Sequence, residues 1–152
     1  AHYLAQSTGK QVINLGINGS SVDRMFKTFV DLRKRTNPYA VVAIWTDPER
    51  YYEWHTRTNG FVASDVGRRD YELYKYMFDH PDYNKEYTSY LLDASRLMWI
   101  NKTNFIEVTW SISIKNVHRI EYLDNALDGK HWGPKTHKSV ADYITDQLAN
   151  SP

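Results

Sequence analysis

The sequence predicts an α/β domain built in three layers, with helices on both faces of a mainly parallel sheet. Three observations lead there. Short apolar runs alternate with stretches whose apolar residues recur at helical spacing, which is the order of strands and helices in such domains. Residues 39–45, Tyr-Ala-Val-Val-Ala-Ile-Trp, are seven consecutive apolar residues, as expected of a strand covered on both faces. A chain of 152 residues buries one continuous core and has little room for two, so residues 1–152 are read as a single domain.

Residues 1–9 read as the end of a helix already under way, with Tyr3 and Leu4 on it and Gly9 as its stop, so the chain is expected to begin inside a domain that is truncated at its N-terminus. Val12, Ile13, Asn14 and Leu15 form a short apolar run closed by a turn bearing Gly16 and Gly19, which fits a buried strand. Ser20 or Ser21 then caps a helix carrying Val22, Met25, Phe26, Phe29 and Leu32. Asp23 lies in its first turn, and Arg33, Lys34 and Arg35 lie in its last, as the helix dipole favours. Asn37-Pro38 ends it, and with the run at 39–45 the three pieces make a βαβ unit.

The stretch 48–82 is rich in Tyr, Arg and Asp. It shows a turn at Asn59-Gly60 and a helical hint in Tyr71, Tyr74 and Phe78. After Pro81-Asp82 a helix is expected with Tyr87, Leu91, Ala94 and Met98 on one stripe, ending at residues 101–104. Residues 105–110 are strand-like, residues 120–122 suit a last short strand, and a final helix over 136–148 has Val140, Ile144 and Leu148 on one face.

Composition narrows the function classes. The 19 basic and 18 acidic residues give a net charge of +1, which leaves no excess of positive charge to hold a phosphate backbone, and nucleic acid is not expected as a partner. No apolar run approaches the ~18 residues a membrane span needs, so no membrane span is expected either. Zero cysteines exclude disulfides, thiolate metal sites and a cysteine nucleophile. The localisation stays open. Twelve Tyr and five Trp, many of them in 39–90, fit core filling first and a sugar-stacking or protein-binding face second.

The segment Asp128-Gly-Lys-His131-Trp-Gly-Pro, just before the last helix, carries the most chemistry. An Asp three residues before a His in a tight turn can fix the imidazole tautomer and stabilise the imidazolium formed when His takes a proton from a nucleophile. Ser20 and Ser21 are better explained as caps than as nucleophiles. His137 lies six residues after His131, a spacing that matches no common zinc pattern, so neither a metal nor a cofactor is expected. Arg50 could bind a substrate carboxylate, but with Asp47, Glu49 and Glu53 close in sequence a salt bridge is the stronger reading.

The chain resembles the SGNH (GDSL) hydrolase superfamily, in the small form seen in phage and marine bacterial sequences. The resemblance rests on Asp128 to His131 before a C-terminal helix, on a strand ending in Asn14-x-x-x-x-Gly19, and on the blocks at 12–21 and 45–50. It implies a flavodoxin-like α/β/α sandwich and a serine ester hydrolase. His131 would be the base, Asp128 its orienter and Gly19 N–H an oxyanion donor, with Asn18, Asp47 and Arg50 near a small acyl ester or acylated glycan. Two departures stand against activity. No counterpart of the family's first strand and serine turn is present in these residues, and Asp47 stands where the family places an Asn donor. An ionised Asp47 only accepts hydrogen bonds and would oppose an oxyanion.

The alternative reading is a non-catalytic binding or structural module, phage-associated in setting, that contacts carbohydrate or protein through its aromatics. A missing strand would leave an unpaired sheet edge. Residues 12–15 and 39–45 are therefore expected to pair directly or through a second chain, which makes a homo-oligomer one of the expected partners.

Overall fold

A computed structural model describes residues 1–16, 20–46, 48, 50–55, 60–65, 81–111, 114–129 and 131–150, with the backbone alone described at 50–55, 60–65, 81, 83 and 84. The elements in order are α1 (His2–Thr8), α2 (Val22–Arg35), β1 (Ala40–Trp45), β2 (Arg50–His55), β3 (Gly60–Asp65), α3 (Pro81–Trp99), β4 (Asn104–Thr109), β5 (His118–Arg119) and α4 (Pro134–Ala149). The fold is mixed α/β with a parallel sheet of order β1-β4-β5, and β2 and β3 form a separate antiparallel pair.

The sheet is covered on both faces, as its sequence requires. β1 and β4 run parallel with Val41 opposite Phe105 and Val42 opposite Ile106. Because successive side chains alternate between faces, Val41, Ala43 and Trp45 enter one layer, where they pack with Val22 and Phe29 of α2 and with Leu92 and Trp99 of α3. Val42, Ile106 and Val108 enter the opposite layer, against Val140 and Ile144 of α4 and Leu4 of α1. The three-layer arrangement follows directly from this alternation. Phe29 sits edge-on to both Trp45 and Phe105, with centroids 5.6 and 5.8 Å away, and so ties α2 to both strands.

The helices start and stop where local chemistry dictates. Gly9 closes α1 with φ of 64°, a left-handed cap that glycine adopts without a Cβ penalty, and its N–H donates to Ala5 O. α2 has Asp23 in its first turn and Arg33, Lys34 and Arg35 in its last, complementing its dipole. Ser21 is its N-cap by position, yet its side chain makes no cap hydrogen bond and is fully buried, so the expected hydroxyl cap is absent. In α3 the buried stripe is Thr88, Leu92, Ser95 and Trp99, each one residue on from its expected counterpart. Tyr87 is exposed, because the layer over Trp45 and Val22 selects the Leu92 and Trp99 side of the helix. α4 buries Thr136, Val140, Ala141 and Ile144.

Two strands differ from expectation. The last one is His118–Arg119 rather than residues 120–122, since Val108 and Thr109 of β4 align with His118 and Arg119 and the chain then leaves the ladder. The larger difference is at residues 12–15, which form no strand. Ile13 is 69% and Leu15 45% exposed, and no backbone hydrogen bond joins them to β1. A strand is defined by its partner ladder, and among the described residues β1 takes only β4. The βαβ unit expected over 12–45 therefore lacks its first strand. The turn at Asn59 and the helical hint at Tyr71, Tyr74 and Phe78 lie outside the described residues. Among the described residues, no helix is long and apolar enough to cross a membrane.

Candidate functional site

The chain leaves β5 still held to the end of β4, with Ile120 N–H donating to Thr109 O at 2.7 Å. It then runs into a loop that closes on itself. Asn125 and Trp132 form an isolated antiparallel bridge, Ala126 N–H donates to His131 O at 2.8 Å, and Gly133 N–H donates to Asp124 O at 2.8 Å. The turn at its tip uses Gly129 at φ of 67°, a left-handed conformation that L side chains rarely adopt. Tyr122 Oη–H reaches back to Asn125 Oδ1 and to His131 O.

Asp128 and His131 come together at this tip. The Asp128 carboxylate accepts the backbone N–H of His131 on Oδ1 at 3.0 Å and contacts the imidazole Nδ1 through Oδ2. One acidic side chain thus sets both the backbone and the ring of the histidine. With Nδ1–H donated to the carboxylate, the neutral ring carries its lone pair on Nε2, the state a general base requires. No described residue hydrogen-bonds Nε2. Both side chains are exposed, His131 at 67% and Asp128 at 47%.

The loop is anchored to α4 by a second carboxylate that sequence reasoning did not single out. Asp124 accepts Lys135 N–H at 3.0 Å, Thr136 N–H at 2.8 Å and Thr136 Oγ1–H at 3.0 Å, so it caps the first turn of α4. In return the fully buried Thr136 Oγ1 accepts Leu123 N–H at 3.0 Å and Asp124 N–H at 3.1 Å. Burial would raise the Asp124 carboxyl pKa, but the donors from Lys135 and Thr136 and the Lys135 charge outweigh it and hold it below the ordinary aspartate value. Gly133 lies in the crook of this cap, where a Cβ would meet Asp124 Oδ2 at 2.4 Å and Asn125 O at 2.5 Å. No local signal links Asp124 to Thr136 across twelve residues. The Gly133-Pro134 start of α4 is the only trace in the sequence.

Aromatic residues place the tip relative to the sheet. Trp132 stacks edge-on with Trp110, the residue after β4, at 5.3 Å, and with His137 of α4 at 5.8 Å. The Asp128–His131 turn is therefore fastened beside the carboxyl end of β4, the end at which ligand sites of open parallel sheets occur. A shallow cleft lies at the opposite end, around Thr103, Asn104, His118, Tyr143 and Gln147, and does not include Asp128 or His131.

Of the other candidates, Asn18, Gly19 and Asp47 lie outside the described residues, and Arg50 opens β2 with its side chain outside them. Ser21 is buried completely, so its hydroxyl is not offered to solvent. Among the described residues, no three of His, Cys, Asp or Glu are grouped to hold a metal ion. No family model, no curated protein and no solved structure matches the chain. The class defined by fold and site is a mixed α/β protein with a parallel sheet and an Asp–His pair beside its carboxyl edge.

Proposed function

We propose that the chain carries the base half of an SGNH-type serine ester hydrolase, with a small acyl ester or acylated glycan as substrate. The single observation that carries this reading is the double hold of Asp128 on His131, which leaves Nε2 free to take a proton. The nucleophilic serine would be supplied from outside residues 1–152. Its Oγ attacks the acyl carbon as its proton passes to His131 Nε2, the carbonyl electrons move to the oxygen, and Gly19 N–H donates to that oxyanion. Collapse expels the alkoxide, which takes the proton from Nε2. A water activated by the same nitrogen then releases the acid. Asp128 stays ionised throughout and offsets the imidazolium charge.

The test is hydrolysis of p-nitrophenyl acetate by the gene product that contains this chain with whatever residues flank it. Wild-type protein should turn over, and His131→Ala should lose at least about 10³-fold in kcat with its fold unchanged. A well-folded wild-type protein that leaves the ester intact would sink the proposal.

One observation favours a second reading, a non-catalytic module that contacts carbohydrate. Trp110 is 36% exposed and edge-on to Trp132, which gives a rigid aromatic surface beside the loop. A glycan array with the same protein separates the two, since this reading needs retention of a glycan that survives His131→Ala.

A further inference from the structure

Among the described residues the edge of β1 that faces away from β4 is unpaired, and the strand's own sequence carries none of the devices by which solvent-facing edges resist pairing. In a parallel ladder the N–H and C=O of one residue point to the same neighbour and alternate along the strand. Tyr39 O accepts Asn104 N–H, and Trp45 O accepts Thr109 Oγ1–H at 3.2 Å, so the odd-numbered residues face β4. Ala40, Val42 and Ile44 therefore direct their backbone groups to the free edge. The strand is Ala-Val-Val-Ala-Ile-Trp, with no charge, no proline and no bulge, and Ile44 is 37% exposed. Such an edge is a template for another strand.

The same chain holds an apolar segment that joins no ladder among the described residues, ending where the Asn14 side chain accepts Gly16 N–H at 3.0 Å. Val12, Ile13 and Leu15 are apolar, and Ile13 and Leu15 face solvent. Lys10 Nζ lies 4.2 Å over the ring of Tyr39, at the start of β1, while Val22 packs in the cluster that contains Trp45, at its end. Lys10 and Val22 thus lie at opposite ends of β1, and the described residues between them make no backbone hydrogen bond to it. Among the described residues, each copy offers one unpaired edge and one apolar segment that are not bonded to each other within the copy.

We infer that two copies of this chain pair about a two-fold axis, residues 12–15 of each adding antiparallel to the β1 edge of the other at Ala40, Val42 and Ile44. The exchange is reciprocal, so it closes at two copies. It gives Ile13 and Leu15 an apolar neighbour and gives the edge its hydrogen bonds. This inference is independent of the proposed hydrolase activity.

Sedimentation equilibrium of the 152-residue chain tests it, joined to amide exchange read residue by residue. The expected mass is twice the 17.9 kDa of one chain at micromolar concentration, with the amides of Ala40, Val42 and Ile44 protected. The Ile13→Lys/Leu15→Lys variant should sediment as one chain and lose protection at those three amides, while Ile106 and Val108, whose N–H groups face β1, keep theirs. Both positions are exposed in the single copy, so lysine is tolerated there. Should the variant not fold, exchange and mass of the wild-type chain decide alone. A wild-type mass of one chain at all concentrations, an open-ended polymer, or a dimer that survives the double lysine variant would overturn the inference. So would a wild-type dimer with those three amides unprotected, or protection that appears only when a different polypeptide is added.

Discussion

Asp128 holds His131 twice, accepting its backbone N–H on one carboxylate oxygen and contacting its imidazole Nδ1 with the other. A side chain that binds both ends of one residue fixes its ring more firmly than a single contact would. The arrangement sets the tautomer, and the tautomer decides which nitrogen can act as a base.

The neutral ring of His131 should therefore occupy the Nδ1–H tautomer. Long-range ¹H–¹⁵N NMR reads this directly from the two ring nitrogen shifts. Asp128→Ala should move the ring towards the Nε2–H form that predominates in free imidazole side chains, and an unchanged spectrum would mean the carboxylate does not set the ring.

The depressed pKa of Asp124 links the loop anchor to pH. Its folded-state value lies below the ordinary aspartate value of 3.8, so the stabilisation is complete above that value and is lost as pH falls through the folded-state pKa. Thermal melts between about pH 6 and pH 2 should show Tm dropping in the acid limb. Asp124→Asn should lower Tm at neutral pH and flatten part of that limb. An equally steep acid limb in the variant would show that other carboxylates carry it.

Gly133→Ala should destabilise through sterics alone, since the Gly133 φ of −83° suits any residue. The added methyl meets Asp124 and Asn125 at 2.4 and 2.5 Å, and relieving it must shift the α4 cap. Overpacking of this kind costs about 1–3 kcal/mol. Urea denaturation should show it as a lower midpoint, accompanied by altered His131 ring shifts if the loop moves with the cap.

Trp45 is fully buried, and its Nε1–H donates to Glu107 Oε1 at 2.8 Å, while Arg96 Nε–H donates to Glu107 Oε2 at 2.7 Å. Glu107→Ala strips the indole of its acceptor, and an unsatisfied buried donor costs about 1–3 kcal/mol. Trp45→Phe removes the donor as well. The double variant should then be less destabilised than the two single effects added together, as a double-mutant cycle in urea would measure.

Elements that local chemistry dictates are legible in the sequence. The uninterrupted apolar run at 39–45 implied a strand with two covered faces, the spacing of Val22, Phe29 and Leu32 a helix with one buried side, and Gly9 a helix end. Asp128 and His131 were legible as a pair because three residues and a glycine span one tight turn. What needed distant partners was not legible. Residues 12–15 have the composition of a strand but no ladder, since a strand exists only through the chain beside it. The buried stripe of α3 was set by the layer it meets, and Asp124 found Thr136 only because the loop folds back on α4. Local pattern fixes which conformation a segment prefers, and only the tertiary structure decides which segments, and which carboxylates, have a neighbour to bind.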